Sequence, residues 1–83
     1  MNMNLENSVL TALSRRGTGM REPTLVATVV AEHGDRLLDE EKILRTLQQL
    51  EEMDMVTTFP DLSGRPLWAL TETGRARLRE QGL

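Results

Sequence analysis

Three segments of the chain place apolar residues three and four positions apart, which is the spacing of one face of an α-helix. The first segment runs from Leu5 to Arg16. We expect Gly17-Thr18-Gly19 to end it, because glycine takes the left-handed backbone conformation at little cost. The third runs from Asp39 to Met53, where Asp39 suits the N-cap position and two glutamates follow it. The predicted buried stripe of this helix consists of Ile43, Leu44, Leu47 and Leu50.

The second segment, from Pro23 to His33, satisfies two different patterns. Its stretch TLVATVVA is rich in β-branched residues, which is typical of a strand. Pro23, however, suits the first turn of a helix, and His33 followed by Gly34 suits a helix end. The apolar residues also form one stripe at helical spacing, made of Leu25, Val26, Val29 and Val30. We therefore predict a helix here.

The pattern changes after Asp54, which is placed to end the third helix in a left-handed conformation. Residues 55–59 predict a strand, residues 60–66 a turn, and residues 67–70 the returning strand. Trp68 and Leu70 fall on one face of that strand, so we expect the Trp68 ring to lie in the core and not to stack on a nucleic-acid base. Thr71 then caps a short helix that runs to about Gln81.

These elements predict an α+β, mostly helical fold of three helices, a two-stranded hairpin and a short C-terminal helix. No linker, repeat or low-complexity stretch interrupts them. We therefore expect one domain over residues 1–83, with its core at about 5–80 and the hairpin at about 55–70. Hydrophobic residues make up 39% of the chain, which is enough for a packed core.

Charge is distributed unevenly along the chain, whose net charge is −3. Residues 39–54 carry two basic and six acidic side chains, whereas the 38 residues before them are neutral overall. A non-specific nucleic-acid coat is strongly basic, so any nucleic-acid binding here must be local. No apolar run approaches the roughly 18 residues of a membrane span, and the N-terminus does not have the pattern of a signal peptide. We expect a cytoplasmic protein that does not enter a membrane.

The sequence offers little for catalysis or metal binding. It has no cysteine, which excludes disulfides and thiolate chemistry. His33 is the only histidine and is predicted at a helix end, where the helix dipole favours its cation over a general base. No phosphate-cradling glycine loop, nucleophile elbow or calcium-loop spacing occurs. We predict no enzyme activity, no metal and no cofactor, and nothing in the sequence indicates a cavity or an effector.

Two stretches in the second half of the chain, LQQLEEMDMV and SGRPLWALTETGRARL, carry a resemblance to a known group of proteins. They are similar to the recurring stretch of PadR-like and MarR-like bacterial transcription regulators, although Asp54 replaces the usual Gly and Trp68 stands where Tyr is commoner. The matching positions are Leu50, Glu51, Glu52, Asp54, Val56, Gly64, Arg65, Trp68, Leu70, Thr71, Gly74 and Arg75. The resemblance implies a winged helix-turn-helix fold in which the hairpin is the wing.

That fold would place the third helix in the major groove of double-stranded DNA and the wing against a neighbouring backbone or minor groove. The resemblance then makes Arg45 and Gln49 the candidate base readers, because Arg pairs with guanine and Gln with adenine. The other candidate DNA-binding residues are Lys42, Thr46, Gln48, Arg65 and Arg21. We expect a DNA-binding transcription regulator. A homodimer would suit that role, but the sequence leaves the oligomeric state and the target site open.

Other interpretations remain open at this stage. The acidic segment 39–54 would also suit a winged helix that recognises a basic protein partner and has no role on DNA. A mixed-charge helix face is also commonly a solvated face. That simpler interpretation is the one we adopt for the arginines of the last helix, Arg75, Arg77 and Arg79.

Overall fold

The computed structural model describes residues 4–17, 19–33 and 39–82. The elements in chain order are α1 (Leu5–Ser14), β1 (Met20–Arg21), α2 (Glu22–His33), α3 (Glu40–Glu52), β2 (Val56–Pro60), β3 (Pro66–Leu70) and α4 (Glu72–Glu80). The three helices, the hairpin and the C-terminal helix of the sequence prediction are all present. The segment with two patterns, 23–33, is helical as predicted, and Gly34 beyond it lies outside the described residues.

Three helices begin at a side chain that accepts a hydrogen bond from their first turn. Asn4 accepts from the backbone N–H of Asn7, and Asp39 accepts from that of Lys42, both at 2.8 Å. Thr71 accepts from the N–H of Gly74 at 3.1 Å. Such caps satisfy N–H groups that have no partner inside the helix. The predicted caps Asp39 and Thr71 are confirmed.

The predicted end of α1 was wrong. The helix stops at Ser14 rather than at Arg16, and the capping residue, Arg15, keeps a right-handed backbone. Gly19 does have a left-handed conformation, with φ +95°, but it directly precedes β1. A Cβ there would lie 3.0 Å from the ring of Phe59, so this glycine allows the wing to pack closely against the chain. Thr18 lies outside the described residues.

The sheet has three strands in the order β1-β3-β2, all antiparallel. Asp54, with φ 60°, makes the predicted left-handed turn from α3 into β2. Strand β1 was not predicted, because two residues carry no periodic pattern. It exists through pairing, with Met20 opposite Trp68 on β3. Strand β1 ties strand β3 of the wing to the start of α2.

The core lies between the helices and one face of the sheet. Its buried apolar residues are Val9, Leu10, Ala12, Leu13, Met20, Leu25, Val29, Ile43, Leu47, Leu50, Val56, Trp68, Leu70 and Leu78. Trp68 is buried as predicted, at 8% exposure. Leu44 is only half-buried and Val30 is exposed, so the predicted stripes of α3 and α2 are narrower than expected. Since both helices bury one face in this core, their opposite faces are left to solvent.

Helix α4 docks closely on the junction between α3 and β2. A Cβ on Gly74 would lie 2.2 Å from the carbonyl oxygen of Met55, so only glycine fits at this helical position. The backbone N–H of Thr71 donates to the same carbonyl over 3.1 Å, and the Thr71 hydroxyl donates to the carbonyl of Asp54. These bonds fix the end of the wing relative to α4.

Candidate nucleic-acid interface

The outward face of α3 is polar and exposed along its length. Because Ile43, Leu47 and Leu50 are fully buried, the opposite side of the helix points to solvent. Four of the five candidate residues on this helix are exposed, namely Lys42, Arg45, Gln48 and Gln49. Together they present amide, ammonium and guanidinium groups on the solvent-facing side of α3.

Thr46 is the fifth candidate, and the structure does not place it on that surface. It is 8% exposed, and its hydroxyl donates to the carbonyl of Lys42 over 2.9 Å. Successive residues of an α-helix are about 100° apart, so the residue next to an outward-facing side chain can already lie at the edge of the core. A hydroxyl already bonded inside its own helix has little capacity for a base edge.

Arg45 is not free on the surface, because it pairs with Glu41. Its Nη2 lies 2.7 Å from the Glu41 carboxylate one turn earlier, and the two side chains are 69% and 72% exposed. Exposed pairs at this spacing contribute about 0.3–0.5 kcal/mol, so a better-matched partner can replace the carboxylate. The exposed acids that flank the surface are Asp39, Glu40, Glu41, Glu51, Glu52 and Asp54.

The tip of the wing is organised by one carboxylate. Asp61 Oδ1 accepts hydrogen bonds from the backbone N–H and the hydroxyl of Ser63, at 2.8 Å and 2.6 Å, and from the N–H of Arg65 at 3.0 Å. The N–H of Asp61 donates back to the carbonyl of Arg65 over 2.8 Å, and Gly64 supplies the left-handed residue with φ +86°. The turn is therefore held by its own side chain.

These contacts also hold Asp61 in its charged form. The hydrogen bond from the Ser63 hydroxyl, followed by those from the backbone N–H groups of Arg65 and Ser63 and from the Arg21 side chain, lowers the pKa of Asp61 from 3.8 to about 2 against the opposing effect of desolvation. Sequence reasoning missed this residue. An Asp followed by Ser and Gly at a hairpin tip is the signal that could have identified it, because Asp side chains bond to N–H groups two residues on.

Arg65 and Arg21 both lie beside the first turn of α2. Arg21 donates to Asp61 Oδ2 over 3.0 Å, whereas the exposed Arg65 side chain has no ion-pair partner among the described residues. An open groove of about 370 Å³ runs between the wing tip and this turn, lined by Arg21, Glu22, Pro23, Thr24, Arg65 and Pro66. The groove is lined by both Arg21 and Arg65, two of the candidate DNA-binding residues.

The arginines of α4 do not form one solvated face. Arg77 is half-buried and reaches Glu6 on α1, with its Nη2 3.2 Å from the carboxylate. Arg75 and Arg79 are exposed, as expected. Arg77 therefore joins the two ends of the chain, and the prediction that it would be a solvated residue was wrong.

Metal-binding clusters and membrane-spanning helices are absent from residues 4–17, 19–33 and 39–82. No group of three or more His, Asp or Glu side chains in these ranges is placed to hold a metal ion. No helix in this part of the chain is long and apolar enough to cross a membrane.

Comparison with solved structures identifies proteins of the same architecture. Staphylococcus aureus MepR superposes with a TM-score of 0.76 and 15% identity over 94% of this chain and 54% of its own. A MarR-family transcriptional regulator from Rhodococcus sp. RHA1 gives a TM-score of 0.65 and 33% identity over 92% of this chain and 49% of its own. A putative DNA-binding protein from Ralstonia eutropha JMP134 gives a TM-score of 0.69 and 21% identity over 93% of both chains.

The chain spans about half the length of MepR and of the Rhodococcus regulator. No sequence model of a known family matches it, and no curated protein matches it either. The structural likenesses, the hairpin after the third helix and the Gly-Arg wing tip agree with one another. The chain thus has a winged helix-turn-helix fold, and it resembles MarR-like transcription regulators.

Proposed function

We propose that this chain is a sequence-specific, double-stranded DNA-binding transcription regulator, with α3 in the major groove and the wing on the neighbouring backbone or minor groove. One observation carries the proposal: two ordered elements, α3 and the wing tip, each present an exposed arginine, Arg45 and Arg65. The likeness to structures described as transcription regulators and as a putative DNA-binding protein supports the same class of function.

Base recognition would come from the outward face of α3. The major groove is about 12 Å wide and admits a helix. Arg45 can leave the weak pair with Glu41 and donate two hydrogen bonds to guanine O6 and N7, and Gln49, one turn later, can pair with adenine. Lys42 and Gln48 flank these two readers on the same helix.

The wing would supply contacts that do not depend on base sequence. Arg65 has no competing carboxylate in the described part of the chain, so it is available to a phosphate or to the narrow groove. Arg21 can add a second contact where the wing meets α2, although Asp61 already neutralises part of its charge. Each phosphate neutralised in this way releases counterions, which makes the affinity depend on salt.

The acidic residues around α3 oppose DNA binding and support a second candidate. Six exposed carboxylates on residues 39–54 would repel phosphates, and the same charges would attract a basic protein. We favour DNA because the arginine at the wing tip and the two glutamines of α3 have no comparable use on an acidic docking face. Direct base contacts, rather than general electrostatics, would then supply most of the affinity.

Selection from a random duplex library at low salt, followed by titration of the recovered and scrambled duplexes, tests the proposal. We expect one motif, bound at least about tenfold tighter than the scrambled duplex, which is the discrimination of one good bidentate contact. Half-sites spaced by one helical turn would show that the chain binds as a dimer. Equal, flat binding curves for both duplexes would remove the proposal, and capture of a basic protein without DNA retention would favour the second candidate.

A further inference from the structure

The tip of the wing holds one apolar side chain entirely in solvent. Leu62 is 110% exposed, whereas the other exposed large apolar residues of the described chain, Val30, Met53 and Phe59, are 39%, 42% and 41% exposed. Packing in the core therefore does not explain a leucine at this position. Single apolar residues are common on protein surfaces, so the surroundings of Leu62 decide whether it has a use.

The turn that carries Leu62 is held in place on both sides. The backbone N–H of Gly64 donates to the carbonyl of Asp61 over 3.0 Å, which closes the turn around Leu62. Where the strands end, Pro60 lies opposite Pro66, and each ring fixes the φ angle of its own residue. Because this backbone is already ordered, the tip loses little conformational entropy when it enters a binding site.

The free charge at the tip is positive. The Asp61 side chain is 14% exposed and lies 3.0 Å from Arg21 Nη2, so its charge is paired. Arg65 is exposed and forms no ion pair within residues 4–17, 19–33 and 39–82. The loop 61–65 therefore combines a fully exposed apolar side chain with an unpaired cation. Duplex DNA matches both groups, because its apolar base stack lies between two rows of phosphates.

We propose that Leu62 enters the minor groove of a bound duplex, wedges between two base pairs and bends the DNA. This inference rests on the proposed binding to double-stranded DNA and adds a residue and a deformation to it. Leucine is one of the apolar side chains that unstack base pairs from the minor groove, with kinks of about 20–90°. The negative potential of a narrow minor groove attracts Arg65, which brings Leu62 to the bases.

The width of the groove favours the tip over the rest of the wing. The minor groove is about 6 Å wide. The backbones of two paired strands are already about 4.7–4.9 Å apart, and side chains stand on both faces of the pair, so strands β2 and β3 cannot enter it. Only side chains beyond the last strand pair, Pro60–Pro66, reach the bases. In the loop 61–65, Leu62 and Arg65 are the two long exposed side chains.

A wedge makes the DNA sequence beneath the wing matter although no base edge is read there. Pyrimidine–purine steps such as TA unstack easily, whereas A-tracts are stiff. The chain should therefore bind a duplex with a TA step beneath the wing several-fold tighter than one with an AA step. This preference comes from Leu62, because the proposed contact of Arg65 with phosphate has no sequence information.

A protein partner suits the tip less well. Apolar residues that contribute strongly to protein interfaces lie near the centre of a well-packed patch. The residues that follow Leu62 in the turn are Ser63 and Gly64, which add no comparable apolar surface. A contact between two copies of the chain through Leu62 is therefore treated as an outcome of the test.

Energy transfer between dyes at the two ends of the duplex recovered by library selection measures the bend. We expect the unsubstituted chain to bend this duplex by at least about 20°. Leu62→Asn, which keeps the shape but not the apolar character, should reduce the bend and remove the preference for TA over AA. Leu62→Met should keep both. Because the side chain is fully exposed, neither variant should change the Tm.

A matched control is available on α2. Val30 is an exposed apolar residue outside the wing, and threonine has the same shape, so Val30→Thr should leave the bend and the step preference unchanged. An equal loss of both in Val30→Thr would contradict the assignment to Leu62.

Three further outcomes would overturn the inference. The first is a straight duplex in the complex with the unsubstituted chain. The second is an equal bend in Leu62→Asn and Leu62→Met, which would show that the apolar character is not used. The third is self-association, measured by sedimentation velocity, that Leu62→Asn abolishes, which would make the tip a contact between copies. Binding of the selected duplex in these cases would leave the proposed function standing, whereas failure to bind any duplex would remove both.

Discussion

Arg65 donates its backbone N–H to the Asp61 side chain over 3.0 Å, so the arginine at the wing tip is positioned by a carboxylate four residues earlier. The same carboxylate oxygen accepts both the N–H and the hydroxyl of Ser63. Only main-chain atoms of Arg65 take part in this turn, and its guanidinium group stays exposed. The turn therefore fixes the backbone of Arg65 while the charge of its side chain takes no part in the turn.

Asp61→Asn should lower the Tm at neutral pH, and the difference from the unsubstituted chain should shrink in acid. The pKa of Asp61 in the folded chain, about 2, lies below its ordinary value of 3.8. The stability contributed by the charged form is therefore complete above pH 3.8 and is lost as the pH falls towards 2. Thermal unfolding of both proteins across this pH range measures the difference in Tm. The contributions of the other carboxylates to the pH dependence cancel in this difference, because both chains contain them. A difference that stayed constant down to pH 2 would contradict the proposed role of the charge.

Arg65→Gln should weaken binding to the selected duplex and to a scrambled duplex by the same factor. The side chain is proposed to contact phosphate, which has no sequence information. Fluorescence anisotropy at several salt concentrations should show the slope of log K against log salt reduced by about 0.9, the value for one lost phosphate contact on duplex DNA. Arg75→Gln, an exposed arginine on α4, is the control and should leave both affinities unchanged. A loss confined to the selected duplex would instead assign base readout to the wing.

Arg45→Ala should relax base preference as well as reduce affinity. A bidentate contact to guanine discriminates against the wrong base by about 1–3 kcal/mol, and this discrimination should disappear at a single position of the motif. Repeating the library selection with the variant would reveal the position. An unchanged motif would show that Arg45 stays paired with Glu41 in the complex.

Glu41→Gln separates the two candidate functions, because they predict changes of opposite sign in the affinity for the partner. On DNA, the substitution removes a negative charge from the outward face of α3 and frees Arg45 from its 2.7 Å ion pair, so duplex affinity should rise several-fold. For a basic protein partner, the same change removes an attractive charge and should weaken binding. Glu80→Gln, at the exposed end of α4, is the control of equal charge.

Gly74→Ala should destabilise the fold, although alanine usually stabilises a helix relative to glycine. Its Cβ would lie 2.2 Å from the carbonyl oxygen of Met55, so α4 must shift away from the junction. We expect a loss of about 1–3 kcal/mol, as for other overpacked sites, measured by chemical denaturation. Gly17→Ala is the matched control, because a Cβ there meets nothing within 4 Å, and it should be neutral or slightly stabilising. Equal stability of the two variants would show that the junction is not tightly packed.

The elements that could be predicted are those specified by neighbouring residues. Helix α2 was predicted despite its β-branched residues, because Pro23 and the spacing of Leu25 and Val29 are local signals. Leu25 and Val29 are both buried in the core. The caps at Asp39 and Thr71 and the left-handed Asp54 are likewise short-range features. Their energetics depend on atoms within a few positions along the chain.

The features that were missed depend on residues far apart in sequence. Strand β1 forms because Met20 lies opposite Trp68, and Arg77 leaves the solvated face because Glu6, 71 positions earlier, lies beside it. Thr46 was misplaced because the angular width of the buried stripe is set by the neighbouring helices. The exposure of Arg45 and Gln49 on the outward face of α3 was predicted correctly, because the helical period places them opposite the buried stripe. Their use on DNA stays a prediction.

Thr71, which directly follows the wing, has a mechanical consequence, because it bonds at once to Asp54 and Met55 at the α3–β2 corner and to Gly74 in the first turn of α4. Because these hydrogen bonds converge on one residue, we expect the junction to be rigid and not to act as a hinge. A force applied at the wing tip would therefore be transmitted through Thr71 to α4.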